Sequence, residues 1–261
     1  LIVRDKDGNY VPLTGNQTGA LLVNYVLSQK KETGTLPQNA AVIKTIVTNE
    51  ISDKICAHYG ADVFNVLTGF KFIAEKIKEF EESGSHTYVF GFEESYGYLP
   101  GTYVRDKDAV GASLLIAEMA SYYKLRGMSV YDGLCELFEK FGHFGEWVDN
   151  IYFEGVDGME RIAAIMNKLR ENAPDIVGGS RVVRYSDVLK GVTYNIQNKT
   201  EEKLSLPSSN VLRFVTEDGT FIAFRPSGTE PKFKIYTGFV CDDHETKKEA
   251  LKKDIYALIG R

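Results

Sequence analysis

The first half of the chain alternates short apolar runs with helical patterns, and this alternation limits the folds that it can adopt. Apolar runs of strand length occupy residues 40–48, 61–67 and 87–92. Patterns of helical period lie around them, at about 18–31, 49–58, 68–82, 108–127 and 129–141. Strands that alternate with helices pack as a layered α/β domain with a largely parallel sheet. We therefore predict such a domain here.

The pattern changes after a segment with two glycines at 141–147. Beyond it, strand, helix, hairpin, strand and helix are predicted in that order, at 148–155, 159–173, 211–226, 232–240 and 243–259. Pro174 ends the first of these helices, because proline cannot continue a helical hydrogen-bond pattern. Asp218-Gly219 is a turn signal between two alternating runs, which predicts the hairpin. Two helices over an antiparallel sheet make an α+β domain.

Length and composition restrict the class of protein further. A chain of 261 residues exceeds what one core usually organises, so two domains are expected. Its net charge of −5 argues against a nucleic-acid partner, and no apolar stretch approaches the roughly 20 residues of a membrane span. Charged residues at 4–7 interrupt any secretory signal. With three separated cysteines, Cys56, Cys135 and Cys241, we expect reduced thiols and a cytoplasmic location.

Several familiar catalytic motifs are missing from the sequence. It has no glycine-rich dinucleotide fingerprint, no P-loop and no nucleophile elbow. Its four histidines form no metal-binding pair, and Asp243-His244 is better interpreted as the start of a helix. We therefore predict no metal ligands in this chain.

The segment that begins at Arg225 combines a turn with positive charge. Ser227, Gly228 and Thr229 offer three consecutive backbone N–H groups and two hydroxyls, which can form an anion nest. The Arg225 guanidinium suits bidentate phosphate binding. Further positive charge is present on Lys232 and Lys234. An ordinary surface turn has a similar composition, so both interpretations stay open.

A second candidate site comes directly after the apolar run at 87–92. Ligands of α/β folds bind at the carboxyl ends of strands, where Glu93, Glu94 and Ser95 fall. A carboxylate can accept hydrogen bonds from two vicinal sugar hydroxyls. A solvated acidic loop is the alternative.

Two further segments carry candidate chemistry. The charged run at 105–108 places Lys107 as a proton donor or charge stabiliser, unless Asp108 only caps the next helix. Thr68-Gly69 lies at a strand-to-helix turn, a position that binds anions readily but often only connects two elements.

In this order, the segments TGFK (68–71), GFEESYG (91–97), RDKD (105–108) and RPSGTEP (225–231) resemble the α-D-phosphohexomutase (phosphoglucomutase/phosphomannomutase) family. The similarity is greatest to bacterial α-phosphoglucomutases, in a branch that includes phosphopentomutases. LTGNQTGALL (13–22) is similar to the opening of the family's third domain. The resemblance extends over nearly the whole chain.

The resemblance implies a four-domain enzyme of which this chain is the C-terminal half. Residues 1–13 would be the tail of the preceding metal-loop domain. Residues 14–146 would form the sugar-binding domain, a three-layer α/β fold. Residues 147–261 would form the phosphate-binding domain, with the α+β fold of the TATA-binding protein.

The resemblance also implies roles for individual residues. Glu93 and Ser95 would hold sugar hydroxyls, and Thr68 and Gly69 would lie at the same sugar-recognition loop. Lys107 would act as general acid or base near the reacting oxygen. The phosphate that is not transferred would be held by Arg225, Ser227, Gly228 and Thr229.

The implied reaction interconverts glucose 1-phosphate and glucose 6-phosphate. An enzyme phosphoserine gives its phosphoryl group to the sugar phosphate, and the glucose 1,6-bisphosphate intermediate turns round and returns its other phosphate. Mg²⁺ would be the cofactor. Tyr96 and Gly97 differ from the S-G-H form of phosphomannomutase-type relatives, which favours glucose or pentose phosphates over mannose phosphates. A phosphomannomutase, a phosphopentomutase or a non-catalytic phosphosugar-binding module remains open.

Two family motifs are missing from these residues. There is no T-A-S-H-N-like serine loop and no D-x-D-x-D metal loop, and residues 1–10 resemble the family segment that comes directly after that metal loop. We therefore expect a piece of a longer protein that lacks the Mg²⁺ ligands, depends on the preceding domains of the same chain and is inactive alone. Lys234 stands where many relatives have arginine.

Overall fold

The structure is a computed structural model that describes residues 1–155, 157–228 and 230–261. It divides into two units, Leu1–Gly142 and His143–Arg261. The segment at 141–147, where the sequence pattern changes, contains this division.

The first unit alternates strands and helices as the sequence predicts. Its elements are β1 (Ile2–Arg4), β2 (Tyr10–Pro12), α1 (Gly15–Glu32), β3 (Ala40–Thr45), α2 (Ile51–Tyr59), β4 (Asp62–Val66), α3 (Phe70–Ser83), β5 (Thr87–Glu93), β6 (Gly97–Leu99), α4 (Ala109–Leu125) and α5 (Val130–Phe141). The main sheet has the order β4-β3-β5-β6, in which β3 is parallel to both β4 and β5. The predicted α/β domain with a largely parallel sheet is confirmed.

Helices cover both faces of this sheet. Ile43 of β3 packs in a buried cluster with Ile73 and Ile77 of α3. On the other face, the Phe92 ring of β5 lies so close to Gly19 of α1 that a Cβ there would be 2.2 Å from the ring. Because successive strand side chains face opposite sides, the central strands supply the core of both layers.

Strand β6 was not predicted, since the sequence indicated only a polar loop after residue 92. It pairs antiparallel with β5, with Gly91 opposite Leu99 and Glu93 opposite Gly97. A strand of three residues is too short to show a period of two. The consequence is that the candidate loop is a tight hairpin turn over residues 94–96.

The second unit is an antiparallel sheet with two helices. Its elements are β7 (Phe144–Tyr152), α6 (Gly158–Glu171), β8 (Ile176–Val177), β9 (Ser180–Asp187), β10 (Val192–Asn195), β11 (Thr200–Lys203), β12 (Leu212–Thr216), β13 (Phe221–Pro226), β14 (Lys232–Val240) and α7 (His244–Ile259). The sheet order is β11-β10-β9-β12-β13-β14-β7, and β8 pairs with β9. Ile162 of α6 and Ile255 of α7 share one core cluster with Phe224 and Phe233 of the sheet. The predicted α+β domain is confirmed.

Strands β8, β9, β10 and β11 were missed by the sequence analysis. All four residues of β11 are exposed, and those of β10 are only partly buried. Apolar periodicity cannot identify β10 and β11, because these two strands bury so little. Within the described residues, none of the helices combines the length and hydrophobicity of a membrane span.

Candidate functional site

The TGFK and GFEESYG segments meet at the carboxyl ends of β4 and β5. Glu93 is the last residue of β5 and only 7% exposed. Its Oε1 accepts a hydrogen bond of 2.6 Å from the backbone N–H of Gly69, 24 residues away in sequence. Gly69 precedes α3 with φ 120° and ψ 125°, a conformation that side-chain-bearing residues rarely adopt. The glycine therefore lets a helix N-terminus present its N–H to a carboxylate.

The β5–β6 turn, residues 94–96, carries the second glutamate and the serine. Glu94 Oε2 lies 3.1 Å from Oγ1 of Thr45, the last residue of β3, and 3.4 Å from Oγ1 of Thr48 in the turn that follows. Burial raises the pKa of the Glu94 carboxyl, and the neighbouring Glu93 acts in the same direction. Ser95 is exposed at the tip of the turn.

The remaining residue of the turn, Tyr96, is also exposed and adopts φ 66°. This left-handed conformation is uncommon outside glycine, asparagine and aspartate. A three-residue hairpin loop needs one such residue, and glycine usually supplies it. Here a tyrosine occupies the position.

The start of α1 supports the β5–β6 turn from behind. A Cβ on Gly15 would lie 1.8 Å from the Glu94 carbonyl oxygen and 2.9 Å from the Tyr96 nitrogen, so only glycine permits this approach. Thr14 caps α1 and forms a capping box with Gln17. Asn16 lies inside the helix, and its Oδ1 accepts a hydrogen bond from the Asn49 N–H.

Lys107 lies against the same edge of the first unit. Its Nζ is 5.0 Å from the centre of the Phe70 ring and 2.6 Å from Asp106 Oδ1. A Cβ on Gly97 would lie 3.0 Å from Lys107 Cγ, so the lysine stem runs along the end of the hairpin. Asp108 caps α4 by accepting a hydrogen bond of 2.9 Å from the Gly111 N–H. The capping interpretation is correct for Asp108 and leaves Lys107 exposed.

In the second unit, Arg225 lies at the end of β13 directly opposite Lys234 of β14. Phe224 and Phe233 face the core, so the two cations lie on the opposite face of the sheet. Within the described ranges, no carboxylate forms an ion pair with Arg225. A guanidinium at this position can bind an anion in a bidentate manner.

The turn between β13 and β14 departs from the predicted anion nest. The Ser227 N–H donates to the Lys232 carbonyl at 2.8 Å and thereby closes the hairpin. The prediction of three available N–H groups is therefore wrong for Ser227, because the backbone ladder uses that donor. Gly228 is exposed, and Thr229 lies outside the described residues. At the start of β14, the Lys232 Nζ lies 5.0 Å from the centre of the Tyr152 ring.

No group of three or more His, Cys, Asp or Glu side chains is arranged to hold a metal ion in the part of the chain that the structure describes. Asp243 caps α7 by accepting a hydrogen bond from the Thr246 N–H, as the sequence predicts. The side chains present therefore do not fit a Mg²⁺ site, and none of them is assigned to one.

The sequence analysis missed the contribution of Gly15, Thr45 and Thr48. The two threonines lie at the end of the apolar run of the central strand, at the sheet edge where ligands bind. Their position at this edge was the sequence signal that could have identified the two threonines as part of the site. Gly15 left no comparable signal, since only the three-dimensional approach of α1 to the turn explains it.

Comparison with known proteins places the chain in a family. The family model described as phosphoglucomutase/phosphomannomutase, alpha/beta/alpha domain III, matches residues 14–141. The phosphoglucomutase of Staphylococcus haemolyticus is 37% identical over 258 residues, which are 99% of this chain and 45% of that protein. The chain thus spans about half the length of the curated relatives that it matches.

Solved structures show the same fold at low sequence identity. The open form of the Paramecium phosphoglucomutase parafusin gives a TM-score of 0.61 at 20% identity, over 95% of this chain and 43% of that one. A variant of the Aspergillus fumigatus N-acetylphosphoglucosamine mutase, in complex with glucose 1,6-bisphosphate, gives 0.53 at 11% identity, over 99% and 46%. The chain belongs to the phosphoglucomutase/phosphomannomutase family, and its residues 14–141 match that family's domain III.

Proposed function

We propose that this chain forms the C-terminal, sugar- and phosphate-binding half of a phosphoglucomutase that interconverts glucose 1-phosphate and glucose 6-phosphate. One observation carries the proposal. The Gly69 N–H and the Glu93 carboxylate, from two separate motifs, are joined by a hydrogen bond of 2.6 Å. A carboxylate held in this way is a preformed acceptor for sugar hydroxyls.

The roles on the sugar side are assigned from the contacts of each group. Gly69 engages Oε1 of Glu93, which leaves Oε2 for a hydroxyl of the sugar ring. Ser95 is exposed at the tip of the turn and adds a hydroxyl that donates or accepts. Thr68 lies beside Gly69 on the same turn. Lys107, on a flexible stem, gives or takes the proton of the reacting oxygen.

The role of the second unit is to hold the phosphate that is not transferred. Arg225 and Lys234 are adjacent cations on two paired strands, and both charges attract a phosphate dianion. The Ser227 hydroxyl and the Gly228 and Thr229 backbone groups are the remaining candidates at this turn. Recognition of a ring and of a phosphate by separate loops suits an intermediate that must bind in both orientations.

The rest of the reaction belongs to the whole protein. A phosphoserine would give and receive the phosphoryl group, and Mg²⁺ would neutralise charge on that group. Glucose 1,6-bisphosphate would be the intermediate, and the Aspergillus fumigatus relative binds this compound. Within its described residues, this chain has no cluster of three or more His, Cys, Asp or Glu side chains that could hold the metal.

Calorimetric titration of the 261-residue chain with glucose 1-phosphate tests the site. We expect Arg225→Ala to weaken binding by about 2–4 kcal/mol, because a partly buried guanidinium loses its phosphate partner. Arg184→Ala removes the same charge from an exposed position on β9 and should leave the affinity unchanged. Equal affinities for the two variants would rule out the assignment of the phosphate turn.

Turnover by the full-length protein tests the reaction. Glucose 1-phosphate should be converted faster than mannose 1-phosphate or ribose 1-phosphate, whereas the 261-residue chain alone should convert none. Preference for mannose or ribose phosphate would replace the proposal by a phosphomannomutase or phosphopentomutase. Binding without turnover by the full-length protein would favour a phosphosugar-binding module.

A further inference from the structure

Glu94 lies in the β5–β6 turn beside the proposed sugar-binding residues, and the proposed function leaves it without a role. Its Oε2 faces Thr45 Oγ1 at 3.1 Å and Thr48 Oγ1 at 3.4 Å, and these two hydroxyls are 2.8 Å apart. The two threonines have only two hydroxyl protons for these three contacts. Whichever threonine donates to the other, the second one donates to the Glu94 carboxylate.

The two threonines are themselves fixed by a buried charge. Lys44 is only 2% exposed, and its Nζ donates to the Thr48 carbonyl at 3.3 Å. The same Nζ forms an ion pair of 3.1 Å with Asp53 of α2. A buried ammonium needs all these partners, because an unpaired charge is expensive away from water. The turn at 45–48 is therefore held in place by contacts that do not depend on Glu94.

The backbone of the β5–β6 turn is held from a second side. The close approach of Gly15 to the Glu94 carbonyl fixes the path of the chain. Glu94 is thus anchored through its side chain by β3 and through its backbone by α1. Its two neighbours, Glu93 and Ser95, are the residues assigned to the sugar.

We propose that Glu94 is a positioning residue, whose anchored carboxylate sets the direction in which Glu93 and Ser95 meet the sugar. This inference rests on the proposed function for the role of the two neighbours. Glu94 itself does not touch the sugar. Its effect passes through the Glu93 carboxylate, which the Gly69 N–H reports directly.

The test monitors the Gly69 amide of the ¹⁵N-labelled chain by NMR. A short hydrogen bond to a carboxylate moves an amide proton downfield and slows its exchange, so this signal reports where Glu93 lies. Glu94→Ala should move the Gly69 signal upfield and speed its exchange. Glu94→Gln keeps an oxygen that accepts the same threonine hydrogen bonds, and it should restore the wild-type signal. Glu82→Ala, on an exposed position of α3, is the matched control and should change nothing.

Affinity for glucose 1-phosphate provides the second measurement. Glu94→Ala should weaken it roughly tenfold, as loss of an outer partner of a ligand-binding group does, and Glu94→Gln less than twofold. Thr45→Val removes a hydroxyl that donates to Glu94 but keeps the side-chain shape, so it should weaken the affinity as Glu94→Ala does. It takes the place of Glu94→Ala in the test if Glu94→Ala fails to fold. Thr45→Ser retains the hydroxyl and is its control.

The outcomes separate this inference from the proposed function. A Gly69 signal unmoved by both Glu94→Ala and Thr45→Val, with the other amides in place, overturns the positioning role. A Gly69 signal that responds as expected, in a chain that binds no sugar phosphate, supports the positioning of Glu93 and instead contradicts the proposed function.

Discussion

Replacement of Gly69 by alanine tests the hydrogen bond between the TGFK and GFEESYG motifs of the first unit. The added Cβ meets nothing closer than the Phe72 ring at 3.8 Å, so crowding contributes little. The conflict lies in the backbone, because φ 120° with ψ 125° lies outside the regions open to alanine. The variant must either keep this conformation under strain or rotate towards negative φ.

Both responses have a similar cost. A residue held in a rarely populated backbone region costs about 1–3 kcal/mol. Rotation instead turns the Gly69 N–H away from Glu93, which loses a hydrogen bond to a charged group, worth about 1.5–3 kcal/mol. We therefore expect the free energy of unfolding to fall by about 1.5–3 kcal/mol. At about 2–4 °C per kcal/mol for a chain of this size, Tm should fall by roughly 3–12 °C.

Gly84→Ala is the matched control at the other end of the same helix. Gly84 also has a positive φ, 66°, and nothing within 4 Å of an added Cβ. Its substitution should cost about 1 kcal/mol, and α3 separates it from Glu93 by roughly 20 Å. Thermal unfolding monitored by circular dichroism and titration with glucose 1-phosphate should both be run on the two variants. Only Gly69→Ala should weaken binding, and equal affinities would refute the reasoning.

Two further substitutions test one residue in each unit, Tyr96 in the first and Asp218 in the second. Tyr96→Gly should raise the free energy of unfolding in urea by roughly 0.5–1 kcal/mol, since it removes the left-handed strain of an exposed tyrosine, while Tyr96→Phe should leave it unchanged. Burial alone would raise the pKa of Asp218, but hydrogen bonds from Lys247 and Thr216 hold it well below its usual range. A folded-state pKa below the unfolded one adds stability above about pH 4 that is lost as the pH falls further. Asp218→Asn should therefore destabilise at pH 7, and its urea midpoint should approach that of the wild type by pH 3; a constant difference would contradict the assigned pKa.

The sequence was sufficient for elements that bury a regular face. The apolar run at 40–48 became β3, whose six residues are all buried, and the signal at Asp218-Gly219 became the turn between β12 and β13. The four motifs also marked the segments that the candidate site contains. In each case the information is local, because burial and turn chemistry act on neighbouring residues.

The missed features depend on backbone or side-chain partners that an apolar pattern does not show. The Ser227 N–H closes a hairpin on Lys232, and Glu94 accepts a hydrogen bond from Thr45, which is 49 residues away. The exposed strand β11 exists because β10 offers a ladder of backbone groups, not because its own side chains bury. Such contacts are decided by the tertiary fold, which overrides local preference.

The two units of the chain differ in how their candidate residues are prepared for a ligand. Glu93 is already held by Gly69, so little conformational freedom is left to lose when a neutral sugar, which offers only modest hydrogen-bond energy, binds. Arg225 is instead a cation near the end of β13, opposite Lys234 on β14, and it attracts an anion without being held by a partner carboxylate within the described residues. On the proposed function this difference is physically consistent. A phosphate dianion supplies its own strong attraction, whereas a sugar ring depends on preorganised acceptors. Raising the salt concentration should therefore weaken inorganic phosphate binding at Arg225 far more than it weakens the contribution of Glu93 to sugar binding.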